Sequence, residues 1–108
     1  MALMIFTVTP DDGEEFEVEA ASRDLARWEQ SGRGRTLASL QQNPTIAEIY
    51  RICWIAMERL ERAGRLKLPD GVADYPSLMD TCDVTSRPAE GLEHLAGPMG
   101  GGAYPPGQ

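Results

Sequence analysis

Along the chain the spacing of apolar residues shifts from two, as in a strand, to 3.6, as in a helix. Met4-Ile5-Phe6-Thr7-Val8-Thr9 is rich in β-branched and aromatic residues and predicts a strand. Pro10-Asp11-Asp12-Gly13 predicts a turn: proline presets φ, aspartate bonds back to the backbone and glycine supplies a positive φ. Glu15-Phe16-Glu17-Val18-Glu19 then alternates, with Phe16 and Val18 on one face and three carboxylates on the other. The result is a β-hairpin with one wet face. A lone hairpin is marginal in water, so its apolar side needs a cover.

Helical spacing supplies that cover. Ser22 is a fair N-cap for a helix to about Gln30, with Leu25 and Trp28 on its buried side. Ser31-Gly32-Arg33-Gly34-Arg35 reads as a link, and Thr36 caps a further turn or two with Leu37 and Leu40 inward. Asn43-Pro44 breaks this helix, because a residue before proline avoids helical φ/ψ. Thr45-Ile46-Ala47-Glu48 has capping-box spacing and opens the longest helix, which runs to about Ala63 and stops at Gly64. At about 100° per residue, Ile46, Ile49, Tyr50, Cys53, Trp54, Met57 and Leu60 share one arc, the expected core stripe, with Ile52 and Ile55 outside it. Tyr75-Pro76 introduces a short helix over about Ser77–Asp83, with Leu78 and Cys82 on one face. The fold class is α+β: an N-terminal β-hairpin packed on a small bundle of three to four helices.

Composition sets the limits of that domain. From Thr85 to Gln108 the chain holds six of its 11 glycines and four of its eight prolines, with Leu92 and Leu95 as the only large aliphatics. Such a segment buries too little to offset its ordering entropy, so residues 1–84 are expected to form the domain and 85–108 a disordered tail or linker. The net charge of −7 argues against nucleic acid as a partner. That charge is segregated: six acids and no base precede Ala20, whereas Arg23 to Lys67 carries a local excess of four bases. No stretch approaches the ~18–20 apolar residues of a membrane span, and Met1–Phe6 is too short for a signal peptide. Cys53 and Cys82 are expected as reduced, buried thiols.

Candidate chemistry is sparse. His94, the single histidine, falls in the tail, no Cys/His set has zinc spacing, and Glu15, Glu17 and Glu19 read as a solvated strand face. Gly97-Pro98-Met99-Gly100-Gly101-Gly102 neither follows a strand nor opens a helix, and Gly32-Arg33-Gly34-Arg35 is a single basic scrap in an acidic chain. The expectation is a protein with no catalytic residues, no metal and no cofactor.

The order of features resembles the tail assembly chaperones of long-tailed bacteriophages, notably those infecting actinobacteria. The resemblance rests on the strand pair from Phe6 to Val18, on Asp24-Leu25-Ala26-Arg27-Trp28-Glu29, on Ile49-Tyr50-Arg51-Ile52-Cys53-Trp54-Ile55-Ala56-Met57 and on Tyr75-Pro76-Ser77-Leu78-Met79-Asp80. It covers about residues 4–85 and departs from the family pattern at Ser31–Arg35, where an aliphatic-rich stretch is usual. It implies a non-enzymatic protein of the host bacterial cytoplasm, absent from the mature virion, that binds the tape measure protein and keeps it soluble while the tail tube assembles. Tail tube protein and self-association are further contacts it allows. It also implies a programmed frameshift near the end of a short product, which a Gly/Pro linker suits. On this reading Ile52 and Ile55 are the anchors for a partner helix, and Arg51, Arg59 and Arg62 supply rim charge. Trp28 and Trp54 are expected in the core. The competing readings are a head–tail connector or other minor virion protein, and a small acidic inhibitor that uses Asp11 to Glu19 against a basic host protein.

Overall fold

A computed structural model describes residues 2–32 and 35–89. Strands β1 (Ala2–Pro10) and β2 (Phe16–Ala21) pair antiparallel, with Phe6 opposite Val18 and Val8 opposite Phe16. Their alternation buries Met4, Phe6, Val8, Val18 and Ala20 on one face and leaves Thr9, Glu17 and Glu19 exposed on the other. Ala2 faces Ala21 while Met4 faces Ala20, so Leu3 is an extra residue on β1. That bulge lets Leu3 and Met4 both turn inward. Residues 11–15 form a loop long enough to need no left-handed backbone; among the described glycines φ is positive at Gly64 and Gly71, and not at Gly13, where the tight turn was expected.

The sheet has a third strand. β3 (Cys82–Pro88) flanks β1 on the side away from β2, antiparallel, giving the order β2-β1-β3. Cys82 and Val84 point into the core while Asp83, Thr85 and Arg87 are exposed. The expected domain end at residue 84 is therefore too early. Thr85 to Pro88 pair with Thr7 to Met4, and buried Ala89 donates its N–H to the Leu3 carbonyl at 3.0 Å. A composition average over a Gly/Pro-rich window hides a strand end four residues long, and a terminal proline is compatible with an edge strand. The remainder of the expected tail, residues 90–108, lies outside the described residues.

Four helices cover the inner face. α1 (Ser22–Gln30) buries Leu25 and Trp28, and the Asp24 carboxylate accepts from the Ala21 N–H at its start, 2.9 Å away. In α2 (Leu37–Gln42), Thr36 caps the Ser39 N–H at 3.0 Å and Leu40 is buried. α3 (Ile46–Arg62) is capped by Thr45, and it ends at Gly64, φ +72°, where Gly64 N–H reaches Glu61 and Arg65 N–H reaches Leu60. α4 (Tyr75–Thr81) starts from the Asp74 cap and stops before the expected Asp83, because Cys82 already belongs to β3.

α3 packs against α1, α4, β2 and β3 at once. Its fully buried residues are Ile52, Cys53, Ala56 and Met57, with Ile49, Tyr50, Trp54, Ile55 and Leu60 packed partly against them. Ile46, expected in the core, is 71 % exposed, and Ile52, expected outside it, is 0 % exposed. The buried arc is rotated by roughly 60° about the helix axis from the arc richest in apolar residues. Polar partners on α1 cause the rotation, as described below. Burial of a side chain such as Ile52 or Met57 contributes about 1.5–3 kcal/mol. No helix among the described residues is long and apolar enough to cross a membrane.

Candidate partner-binding surface

α1 and α3 are joined by two polar contacts. Asp24, 1 % exposed, takes a two-pronged bond from Arg59, with Nε to Oδ1 at 2.7 Å and Nη2 to Oδ2 at 2.9 Å. One turn further along α1, the Trp28 indole N–H donates to Glu48 Oε2 at 2.7 Å, and Arg35 Nε lies 3.1 Å from the same oxygen. Glu48 therefore does not reach back to complete the expected capping box. Both α3 partners sit on the Ile52 side of the helix, so satisfying them draws that side towards α1. The bond from Asp24 holds the Arg59 guanidinium still more firmly protonated than usual.

These contacts dissolve the surface expected from the sequence. Ile52 is core, Ile55 is partly buried against the core and Arg59 is committed to Asp24. Arg51 lies over the Tyr75 ring, 4.6 Å from its centroid, and Tyr75 in turn donates to the Ala47 carbonyl. Of the five residues Arg62 is exposed, Arg51, Ile55 and Arg59 are half-buried, and Ile52 is buried. Ile52, 0 % exposed, is closed to a partner because the apolar arc alone misplaces the buried face, while Ile55 keeps part of its surface.

The structure gathers apolar surface elsewhere. A groove of about 230 Å³ runs between α2, the first turns of α3 and the end of β3. Met4, Leu37, Leu40, Pro44, Ile49 and Pro88 line it. Exposed Ile46 stands one helical turn before Ile49. Pocketed small-molecule sites usually have about 300–1,000 Å³, so this groove suits side-chain anchors of a protein segment. Its sequence signal is the pair of aliphatic pairs, Leu37/Leu40 and Ile46/Ile49, on either side of Asn43-Pro44.

A second, larger cleft of about 560 Å³ opens at the hairpin loop, where Asp11, Asp12, Glu14 and Asp70 face Lys67. Among the described residues no three His, Cys, Asp or Glu side chains are grouped to hold a metal. Cys53 is buried and donates to Met57 Sδ at 3.7 Å; burial first, and the neighbouring Cys82 second, push its thiol well above the ordinary range. Glu17 and Glu19 lie on the exposed sheet face, where Arg87 Nη2 crosses from β3 to Glu17 at 3.0 Å. Arg33, Gly34, His94 and Gly97–Gly102 lie outside the described residues. No family model matches the chain, and no curated protein or solved structure matches it either.

Proposed function

We propose that this protein is a non-enzymatic tail assembly chaperone of a long-tailed bacteriophage, acting in the host cytoplasm and binding the tape measure protein until the tail tube encloses it. The observation that supports this most is the exposed Ile46 beside an apolar groove on a small α+β domain. A long helical partner presents apolar residues at i, i+3 and i+4, and such anchors fit a groove walled by α2 and α3. Binding of this kind covers the partner's apolar stripe without nucleotide or metal. The partner-binding residues on this reading are Leu37, Leu40, Pro44, Ile46 and Ile49, in place of Ile52 and Ile55. Contacts with tail tube protein or a second copy belong to the same proposal.

Dilution of denatured tape measure protein into buffer tests the reading. Light scattering is expected to fall in proportion to added chaperone and to level off near a fixed stoichiometry. Scattering that does not respond to a molar excess contradicts it.

The acidic hairpin favours one other reading. Asp11, Asp12 and Glu14 at the loop and Glu17, Glu19 and Asp83 on the exposed sheet face form a negative surface suited to a basic host protein. An inhibitor of that kind loses its target when the hairpin charges are reversed, whereas a chaperone using the groove does not.

A further inference from the structure

The end of the sheet opposite the hairpin loop gathers positive charge. There the start of β1, the end of β2, the first turn of α1 and the last turn of α3 meet around a pocket of about 280 Å³. Three guanidinium groups line it, from Arg23, Arg59 and Arg65, together with one carboxylate, Glu19. Ala2 and Ala21 in its wall are too small to fill the space between the arginines. We propose that this pocket binds a phosphate group, held by Arg23, Arg59 and Arg65.

Each arginine is placed by a different local device. Arg59 is fixed by its two-pronged bond to buried Asp24 through Nε and Nη2, and its Nη1 has no hydrogen-bond partner among the described residues. That fork is immobilised before a ligand arrives, so little side-chain entropy remains to be lost. Gly64, at φ +72°, turns the chain back at the end of α3, and the Arg65 N–H closes on the Leu60 carbonyl at 2.9 Å. Leu60 shares the pocket wall, so the turn sets Arg65 beside Arg59. Arg23 comes from the first turn of α1, one residue before Asp24. Arg23 and Arg65 are exposed and make no ion pair among the described residues, which leaves both open to a ligand.

Chemistry and size narrow the ligand. Guanidinium groups present paired N–H donors that match the oxygens of a phosphate, and such charge-assisted bonds are about twice as strong as neutral ones. The pocket is smaller than the ~300–1,000 Å³ of drug-sized ligands, so it takes a phosphate group and not a whole nucleotide. The net charge of −7 does not cancel it. The acids of the hairpin loop lie one length of β1 away, about 25 Å, beyond a Debye length of about 8–10 Å. Asp24 sits behind Arg59 at 1 % exposure, so Glu19 is the group that opposes an anion, and it pairs with none of the three arginines. The pocket is at the opposite end of α3 from Ile46 and Ile49, and the proposal does not depend on the chaperone reading.

Titration of the full-length protein with inorganic phosphate at constant ionic strength, read on the arginine Nε–H resonances, tests the site. Those of Arg23, Arg59 and Arg65 are expected to shift and saturate together, while those of Arg27 and Arg62 stay in place. Arg23→Gln combined with Arg65→Gln is expected to weaken binding about tenfold, and Glu19→Gln to tighten it. An unchanged urea midpoint shows that each variant keeps its fold, and the unsubstituted protein alone decides the matter if one does not. A second arm with phosphoserine separates the sources: tighter binding than inorganic phosphate assigns a phosphomonoester, and equal or weaker binding assigns the free ion. Shifts that do not saturate, or that are as large at Arg27 and Arg62, overturn the proposal. Succinate binding as tightly as phosphate overturns it too, in favour of a carboxylate ligand.

Discussion

Asp24 shows how one buried carboxylate can orient a helix pair. It is 1 % exposed and is satisfied by Arg59 and by the Ala21 N–H together. Removing Arg59 leaves a desolvated, unmatched carboxylate, whereas removing Asp24 leaves an Arg59 side chain that is 26 % exposed and can turn to water. Asp24→Ala is expected to cost about 2–3 kcal/mol, read as a lower urea midpoint at unchanged slope. Arg59→Ala is expected to cost at least as much, because it strands the buried anion. A second carboxylate works at the surface. Asp74 accepts from the Ser77 backbone N–H at 3.0 Å, and that bond holds its pKa below the ordinary aspartate value. A depressed folded pKa means its support for α4 is complete above the ordinary value and disappears as pH falls through the folded one. The Ser77 amide resonance is expected to titrate with a midpoint below that of an unperturbed aspartate; a midpoint at or above it contradicts the cap.

At the scale of elements, β3 is where composition and pattern disagree. A chain cut after Val84 keeps every element read from the sequence but loses the pairing of Thr85–Pro88 with β1. Total stability for a domain this size is about 4–12 kcal/mol, so the cut is expected to abolish the cooperative urea transition of the full chain. A cut chain that unfolds with the same midpoint contradicts the role given to β3. The hairpin, the break at Asn43-Pro44 and the Gly64 stop were legible because each depends on local backbone chemistry. β3 was not, since its alternation rests on two apolar residues, Cys82 and Val84, and the sequence that follows the strand is rich in Gly and Pro. The face of α3 was legible only to within a sixth of a turn. Glu48 reads as a capping-box residue and Arg59 as rim charge until α1 supplies Trp28 and Asp24 as partners, and no periodicity within α3 encodes that.

For the whole molecule, the charge stays segregated: the hairpin acid Glu17 pairs with Arg87 of β3 and not with the basic middle of the chain. Arg35 and Arg59 pair with Glu48 and Asp24 of their own segment, so the net excess of four bases from Arg23 to Lys67 stands beside these ion pairs. The acids of the hairpin remain at the solvent face of the sheet, opposite the helices. Among the described residues the large exposed hydrophobics are Ile46 and, on α4, Met79, and the proposed function rests on Ile46 and the groove beside it. Ile46 contributes little to the core at 71 % exposure, so Ile46→Asp removes apolar surface with stability changed by no more than about 0.5 kcal/mol. The most direct measurement is co-expression of the tape measure protein with the unsubstituted chain and with Ile46→Asp, followed by size-exclusion of the soluble fraction. The account predicts a soluble complex with the unsubstituted chain and a clear loss of it with Ile46→Asp. A tape measure protein that stays equally insoluble beside the unsubstituted chain, or equally soluble beside Ile46→Asp, contradicts it.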